Sequence, residues 1–186
     1  MIESRRLRLR PLEVSDEDDL FAYQSDPEIV RYIPWPARTR EQVRAALAAY
    51  AGPRRLSEDG DAAVLAMVEK QSGRVIGQSN LGIESVTDRH ASVGYVVGAA
   101  FAGRGFATEA TAAMLDYAFD VLRMHRVSAQ IDTRNHASAA VARKLGMRRE
   151  AEFVENEWFK GAWSSSWIYA ILEAEWMAVR DTMGHR

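Results

Sequence analysis

One segment constrains the fold more than any other. A strand-like stretch over residues 90–97 leads through a loop with two glycines into an amphipathic helix. Apolar residues recur at helical spacing over residues 107–122, which is typical of a helix with one face in a core. A helix of this kind that follows a strand so closely must bury its apolar face against a sheet. The chain is therefore expected to combine a sheet and helices in layers.

The loop itself has the properties of an anion site. Gly103 and Gly105 stand two positions apart, so the backbone can point successive N–H groups at one place without a Cβ in the way. The helix start adds unpaired N–H donors and the positive end of the helix dipole, and Arg104 adds a charge. These features favour a phosphate group as the ligand. A plain turn without a ligand explains the two glycines alone equally well.

Two common nucleotide-binding motifs do not fit this loop. The pattern G-x-x-x-x-G-K-[ST] is absent from the chain. The dinucleotide pattern needs a third glycine where Thr108 stands, and it needs parallel strands. The strands before the loop are separated by short turns, which indicate antiparallel pairing. A nucleotide-binding domain is therefore the least favoured function.

The remaining pattern predicts a single α+β domain over residues 1–186. Thr39 and Gln42 have the spacing of a helix capping box. Gly146 is a natural stop for a helix that begins after Asn135. Strands are expected over residues 6–10, 62–69, 74–84, 90–97, 126–132, 147–154 and 166–172.

Composition excludes several classes of function. The formal net charge of -2 gives no global attraction to nucleic acid. No run approaches the ~18 apolar residues of a membrane span, so no membrane association is predicted and a cytoplasmic location is expected. The chain has no cysteine, which excludes a thiolate metal site and a thioester on the enzyme. No metal is expected.

A second constellation lies where a strand gives way to a helix, at Asn135 and Ser138. Alone, Asn135 is explained as an N-cap and Ser138 as a first-turn residue. Residues 123–149 carry seven basic residues but only one acid, Asp132, although the whole chain is slightly acidic. Such a segment suits a ligand with several phosphate charges, and a solvated helix face is the other interpretation.

Together these motifs resemble the GNAT superfamily of N-acetyltransferases. Residues 91–119, with the glycine loop, resemble its acetyl-CoA motif. Residues 135–147, with Asn135, Ser138 and Lys144, resemble its next motif. Residues 5–10, 161–163 and 169–176 are similar to the Rim-type (RimJ/RimL-like) branch, which includes N-terminal acetyltransferases of ribosomal proteins and relatives that act on small amines.

The resemblance implies a GNAT-like mixed, strongly curved central sheet of about six or seven strands, with a splayed central pair and helices on both faces. It implies acetyl-CoA as co-substrate, with the backbone of Tyr95, Val96 and Val97 along the pantetheine arm. Asn135 would bond the pantetheine side, and Ser138 would lie near the sulfur. The remaining residues expected to bind acetyl-CoA are Ala102, Gly103, Arg104, Gly105, Phe106, Ala107, Thr108 and Lys144.

The chain departs from the superfamily pattern at three positions. Ala102 replaces a larger residue at the start of the loop, and Ala142 stands where many members have a tyrosine acid. Ser165 stands where the Rim-type branch often has an aspartate. Because the branch uses a serine at the position of Ser138, that residue takes the role of the acid. The departures also leave a second hypothesis, a CoA-binding regulator or accessory protein without turnover.

The implied reaction is direct acetyl transfer to a primary amine, on a protein N-terminus or a small molecule, in a ternary complex. The amine must be neutral to attack, so the site must remove a proton. Glu84, at the end of a predicted strand, is the candidate base, and a solvated strand end explains it equally well. Asp132 and Tyr169 are weaker candidates for the same role.

The acceptor pocket is predicted from aromatic residues. Tyr32 and Trp35 would form one wall, and Trp163 with its neighbours Trp158 and Phe159 would form another. Large aromatic residues fill cores as often as they line sites, so both interpretations stay open. The sequence does not name the acceptor. A homodimer is one expectation for the oligomeric state.

Overall fold

The computed structural model describes residues 1–184, which form one eight-stranded sheet and five α-helices. The strands are β1 (Ile2–Glu3), β2 (Leu7–Pro11), β3 (Ala62–Glu69), β4 (Val75–Ser85), β5 (His90–Val97), β6 (Arg126–Asp132), β7 (Arg148–Phe159) and β8 (Ala162–Leu172). The helices are α1 (Glu17–Gln24), α2 (Arg40–Tyr50), α3 (Phe106–Asp116), α4 (His136–Lys144) and α5 (Glu173–Gly184).

The sheet is mixed and divides at its centre. Its strand order is β1-β2-β3-β4-β5-β6-β8-β7, and the pair β5–β6 is parallel whereas the other neighbouring strands are antiparallel. The β5–β6 ladder runs only from His90↔Arg126 to Ser92↔Ser128. Beyond these pairs the two strands diverge. This confirms the splayed central pair that the resemblance implied.

Helices cover both faces of the sheet because the strands alternate their apolar side chains between two clusters. In β3, Met67 belongs to one cluster and its neighbours Ala66 and Val68 belong to the other. The larger cluster takes its helical side chains from α3, α4 and α5, and the smaller one takes them from α1 and α2. The predicted arrangement of helices on both faces is confirmed.

The strand count exceeds the expected six or seven because of the chain start. Ile2 pairs with Leu9 and adds the two-residue strand β1, which is too short to show a sequence pattern. The last hairpin is also longer than predicted, with β7 reaching Phe159 and β8 beginning at Ala162. Most of β7 is exposed on both faces, so its sequence lacks the alternation that reveals a half-buried strand.

The segment between α1 and α2 contains no regular helix or strand, but both of its ends are fixed. The backbone N–H of Arg38 donates to the carbonyl of Gln24 at 2.9 Å. Thr39 then caps α2: its Oγ1 accepts from the N–H of Gln42 at 3.3 Å, and Oε1 of Gln42 accepts from the N–H of Thr39 at 2.9 Å. The predicted capping box is confirmed, and it fixes where the segment enters α2.

Candidate active site

A cleft of about 630 Å³ opens where β5 and β6 diverge. Its walls come from the centre of the sheet, the start of α4 and the segment between α1 and α2. The structure brings seven of the predicted site residues to this one cavity. They are Tyr32, Trp35, Glu84, Tyr95, Val96, Asn135 and Ser138.

The two faces of the sheet give the cleft two chemically different sides. Val93, Tyr95 and Ile131 belong to, or pack against, the cluster beneath α3 and α4, and this is called the α4 side. Their strand neighbours alternate to the opposite face. That face carries Gln78, Asn80, Glu84, His90, Ser92, Ser128, Gln130 and Asp132, and is called the α1–α2 side.

The glycine loop forms a set of free donors next to α3. Gly103 has φ 72° and Gly105, which precedes the helix, has φ 81°, a region that L-residues enter only with strain. No Cβ contact explains glycine at 103, because a Cβ there would meet nothing within 4 Å. Within residues 1–184, the six N–H groups of residues 103–108 donate to no protein acceptor. They can therefore all serve one anion at the positive end of α3.

Side chains around the loop hold it in place. The Arg6 guanidinium donates to the Arg104 carbonyl at 3.0 Å and to a Glu109 carboxylate oxygen at 2.7 Å. The Arg104 side chain pairs with Glu69 at 3.3 Å instead of standing free. Arg104 was predicted to add a charge to the anion site, and in this structure Glu69 compensates that charge. The backbone supplies the unpaired donors.

Asn135 and Ser138 occupy the start of α4 as predicted. Asn135 Oδ1 accepts from the N–H of Ser138 at 3.1 Å, which is an N-cap. The Ser138 hydroxyl faces the cleft, where it also meets the side chain of Tyr95. Burial raises the pKa of Tyr95, although a hydrogen bond with Ser138 lowers it. Tyr95 is therefore a neutral hydroxyl donor at pH 7, a side-chain property that the sequence analysis did not predict.

Ten predicted residues lie outside the cleft lining: the loop residues 102–108, described above, and three others, Val97, Lys144 and Trp163. Val97 ends β5, pairs with Gly77 of β4 and packs against the larger cluster. Lys144 is exposed at the last turn of α4, where a cation stabilises the helix dipole. Trp163 lies at the tip of the β7–β8 hairpin with its ring 5.4 Å from that of Trp158, and it is 56% exposed. The structure does not bring Trp163 into the acceptor wall.

The α1–α2 side holds two titratable residues, Glu84 and His90, of which only Glu84 was predicted from the sequence. Glu84 is exposed to the cleft at an irregularity in β4. His90 lies nearby, with Nε2 2.8 Å from the hydroxyl of Ser128. Burial and the charge of Arg126 lower the pKa of His90, so its ring is neutral at pH 7. The alternation of His90 with Ser92 along a predicted strand was the available signal for this residue.

The two weaker base candidates have other roles here. Asp132 accepts from Arg134 Nη2 at 2.6 Å and from the Ser164 hydroxyl at 2.7 Å. Burial alone would raise the pKa of Asp132, but these hydrogen bonds outweigh it and hold the pKa at about 2. A carboxylate stabilised in this way is a poor proton acceptor. Tyr169 is buried, accepts from Arg143 at 3.3 Å and does not line the cleft.

The segment between α1 and α2 forms the rim of the cleft. The Arg134 guanidinium lies 5.8 Å from the Tyr32 ring, and the Arg38 guanidinium lies 4.2 Å from the Trp35 ring. Lys160, in the turn of the β7–β8 hairpin, donates to the Val30 carbonyl at 2.5 Å. The hairpin turn is therefore joined to the segment that forms the rim.

Residues 1–184 contain neither a membrane-spanning helix nor a cluster of metal-ligand side chains. No helix there is both long and apolar enough to cross a membrane. No group of three or more His, Asp or Glu side chains in that range is arranged to hold a metal ion.

The sequence is similar to that of known acetyltransferases. The profile of the Acetyltransferase (GNAT) domain matches residues 6–148. The uncharacterised N-acetyltransferase p20 of Bacillus licheniformis is 29% identical over 174 residues, which is 93% of this chain and 96% of that protein.

Solved structures share the fold over nearly the whole chain. A GNAT-family acetyltransferase from Bacillus anthracis superposes with a TM-score of 0.83 at 26% identity, covering 93% of this chain and 98% of the other. A spermidine N-acetyltransferase from Vibrio cholerae, solved in complex with CoA and spermine, superposes with a TM-score of 0.77 at 20% identity, covering 92% and 98%. At that identity the second likeness concerns the fold alone.

Proposed function

The chain belongs to the GNAT acetyltransferase family and is an N-acetyltransferase, and from that premise we propose that it moves an acetyl group from acetyl-CoA to a primary amine within a ternary complex. The observation that carries the proposal is the fork between β5 and β6, which has free backbone donors at one end and Ser138 with Tyr95 on one wall. When bound, acetyl-CoA supplies an activated thioester carbonyl.

The residues present fit that co-substrate. The free N–H groups of residues 103–108 match the pyrophosphate, because an anion there meets several donors and a helix dipole at once. The edge of β5 from Val93 onward has no strand partner on the β6 side, so its backbone is available to an extended pantetheine arm. The Asn135 side chain is engaged as the N-cap of α4, and the Arg104 side chain pairs with Glu69. The backbone is therefore the main surface available to acetyl-CoA.

Ser138 is the proposed acid, and Tyr95 is its proposed partner. Ser138 would donate its proton to the departing thiolate. Tyr95, held neutral by burial and next to Ser138, would replace that proton by donating a hydrogen bond to the Ser138 oxygen. The two hydroxyls form a short relay on the α4 side. This relay compensates for Ala142, which offers no hydroxyl.

Glu84 is the proposed general base on the opposite side. Its carboxylate is exposed to the cleft, and no described cation lies within 4.0 Å of it. It is therefore available to accept the proton of an incoming ammonium group, directly or through water. The neutral His90 beside it avoids a competing ion pair. We also propose the Rim-type branch, the single-domain organisation and a cytoplasmic location, on the sequence patterns given above.

The decisive experiment follows thiol release from acetyl-CoA with a panel of amines under initial-rate conditions. Turnover with intersecting double-reciprocal lines is expected, because the chain has no cysteine to carry an acetyl group. Parallel lines would contradict direct transfer. Tight acetyl-CoA binding without turnover of any amine would contradict catalysis and favour a CoA-binding regulator.

A further inference from the structure

Arg38 stands out among the residues that line the cleft. It lies on the α1–α2 side, just before the cap of α2, and its guanidinium is stacked over the ring of Trp35 at 4.2 Å. Two hydrogen bonds to Gln24 fix it: the backbone bond described above, and one from Nη1 to Gln24 Oε1 at 2.8 Å. Both the position and the orientation of the guanidinium are therefore set before any ligand arrives.

This guanidinium has no carboxylate partner within residues 1–184. No Asp or Glu oxygen of that range lies within 4.0 Å of it, whereas the nearest arginine on each side of it in the chain, Arg31 and Arg40, pairs with acids. Burial lowers the pKa of Arg38, the expected result when no counter-charge offsets the loss of water. A guanidinium has five N–H donors, and the hydrogen bond to Gln24 uses one.

The other titratable groups that line the α1–α2 side differ in whether their charge is compensated. Asp132 is neutralised by Arg134, and His90 is uncharged at pH 7. Glu84 remains as an unpaired negative charge on the cleft floor. The α1–α2 side thus offers one open negative group and one open positive group, separated by neutral polar and aromatic side chains.

We propose that the acceptor is a zwitterion: a primary amine that also carries a carboxylate or phosphate, which Arg38 binds while its apolar part packs beside Trp35. The inference rests on the proposed acetyl transfer and names the acceptor class for it. The anionic group binds the fork of Arg38, which leaves the amine free in the cleft. A polyamine, which presents only positive charges, places a cation against Arg38 and is disfavoured.

The test uses matched acceptor pairs that differ in the anionic group: phenylalanine with phenylalaninamide, and phosphoethanolamine with ethanolamine. The Arg38→Gln variant keeps the backbone bond to Gln24 and loses the charge. In the Arg38→Gln variant we expect kcat/KM to fall about 10-fold to 100-fold for the member of a pair that carries the anionic group. For the member without that group we expect a fall of less than about threefold. Each acceptor is compared with itself in the wild-type protein and in the variant at one pH, so that differences in amine pKa between the members of a pair cancel.

Two further variants separate charge from structure. Arg38→Lys keeps the charge but loses the planar fork, so an intermediate effect is expected. Arg31→Gln removes an exposed arginine from the same segment, which pairs with Glu28, and should leave all rates unchanged. Equal losses for both members of a pair in Arg38→Gln, or an increase only in the KM for acetyl-CoA, would overturn the proposal.

A binding measurement decides the question independently of turnover. With CoA present, the anionic member of a pair should raise the melting temperature of the wild-type protein, and this rise should disappear in Arg38→Gln. Equal rises with the anionic and neutral members in the wild-type protein would overturn the inference. Failure of the enzyme to acetylate any amine would instead count against the proposed function.

Discussion

The two sides of the cleft are built in different ways. The α4 side, taken together with the glycine loop, uses backbone groups and caps from residues 93–138, a single stretch of chain. The α1–α2 side collects its charged and aromatic groups from β4, β5, β6 and a segment without regular structure between two helices. A backbone site depends on glycines and caps at fixed spacing, whereas a side-chain site depends on tertiary placement. The first leaves a clear pattern in the sequence and the second does not.

The largest expected effect tests whether proton removal belongs to the α1–α2 side. Glu84→Gln keeps the size of the side chain and removes its basicity, so kcat should fall about 100-fold or more. The measurement is kcat as a function of pH, with Glu41→Gln, an exposed carboxylate on α2, as control. An unchanged rate and pH profile would remove Glu84 from the mechanism and direct attention to His90.

The next effect tests the hydroxyl relay of the α4 side. Ser138→Ala should lower kcat roughly tenfold, a smaller effect because a thiolate leaves with less proton assistance than an alkoxide. Tyr95→Phe should lower kcat by about threefold, since it acts through Ser138. The double variant should match Ser138→Ala alone, because the two residues act in series. Additive losses in the double variant would show that the hydroxyls act separately.

A third prediction tests whether backbone geometry defines the α4 side. Gly103→Ala forces an L-residue to φ 72° at a cost of about 1–2 kcal/mol and should raise the KM for acetyl-CoA about tenfold, as the loop relaxes out of shape. Gly73 is a matched control, because it has the same φ and an equally open surrounding in another turn. Gly73→Ala should lower stability to a similar extent. Any comparable increase in KM in that control would contradict the model of a shaped loop.

The smallest effect concerns acid stability on the α1–α2 side. The pKa of Asp132 is about 2 in the folded protein, below the value near 3.9 of an unfolded chain. Its contribution is therefore present above about pH 4 and is lost as the pH falls towards 2. Asp132→Asn should lower the free energy of unfolding by about 1–2 kcal/mol at pH 7 and flatten its decline between pH 4 and pH 2. Chemical denaturation at several pH values measures this. A parallel decline in both proteins would contradict it.

The same division explains how much the sequence revealed. The glycine loop, the cap at Asn135 and the strand before the loop have local signatures, and the structure shows each where it was expected. Arg38 was missed because nothing in its neighbourhood distinguishes it from a surface arginine, and His90 was missed because its alternation with Ser92 indicates a shared strand face but not a site. Trp163 was a candidate for the acceptor wall because it is a large aromatic residue, a property that does not distinguish a site from a core or a surface. The actual hairpin carries this residue to an exposed tip.

The hydrogen bond from Lys160 to the Val30 carbonyl has a consequence for the order in which the molecule assembles. It joins positions 130 residues apart, whereas the α4 side is made from neighbours in the chain. Closing so long a loop is entropically costly, so this contact should form after the sheet and break before it. Amide hydrogen exchange should accordingly be faster at residues 30–38 than in β4 and β5. The rim of the cleft would then open by local fluctuation while the central strands β4 and β5 stay folded.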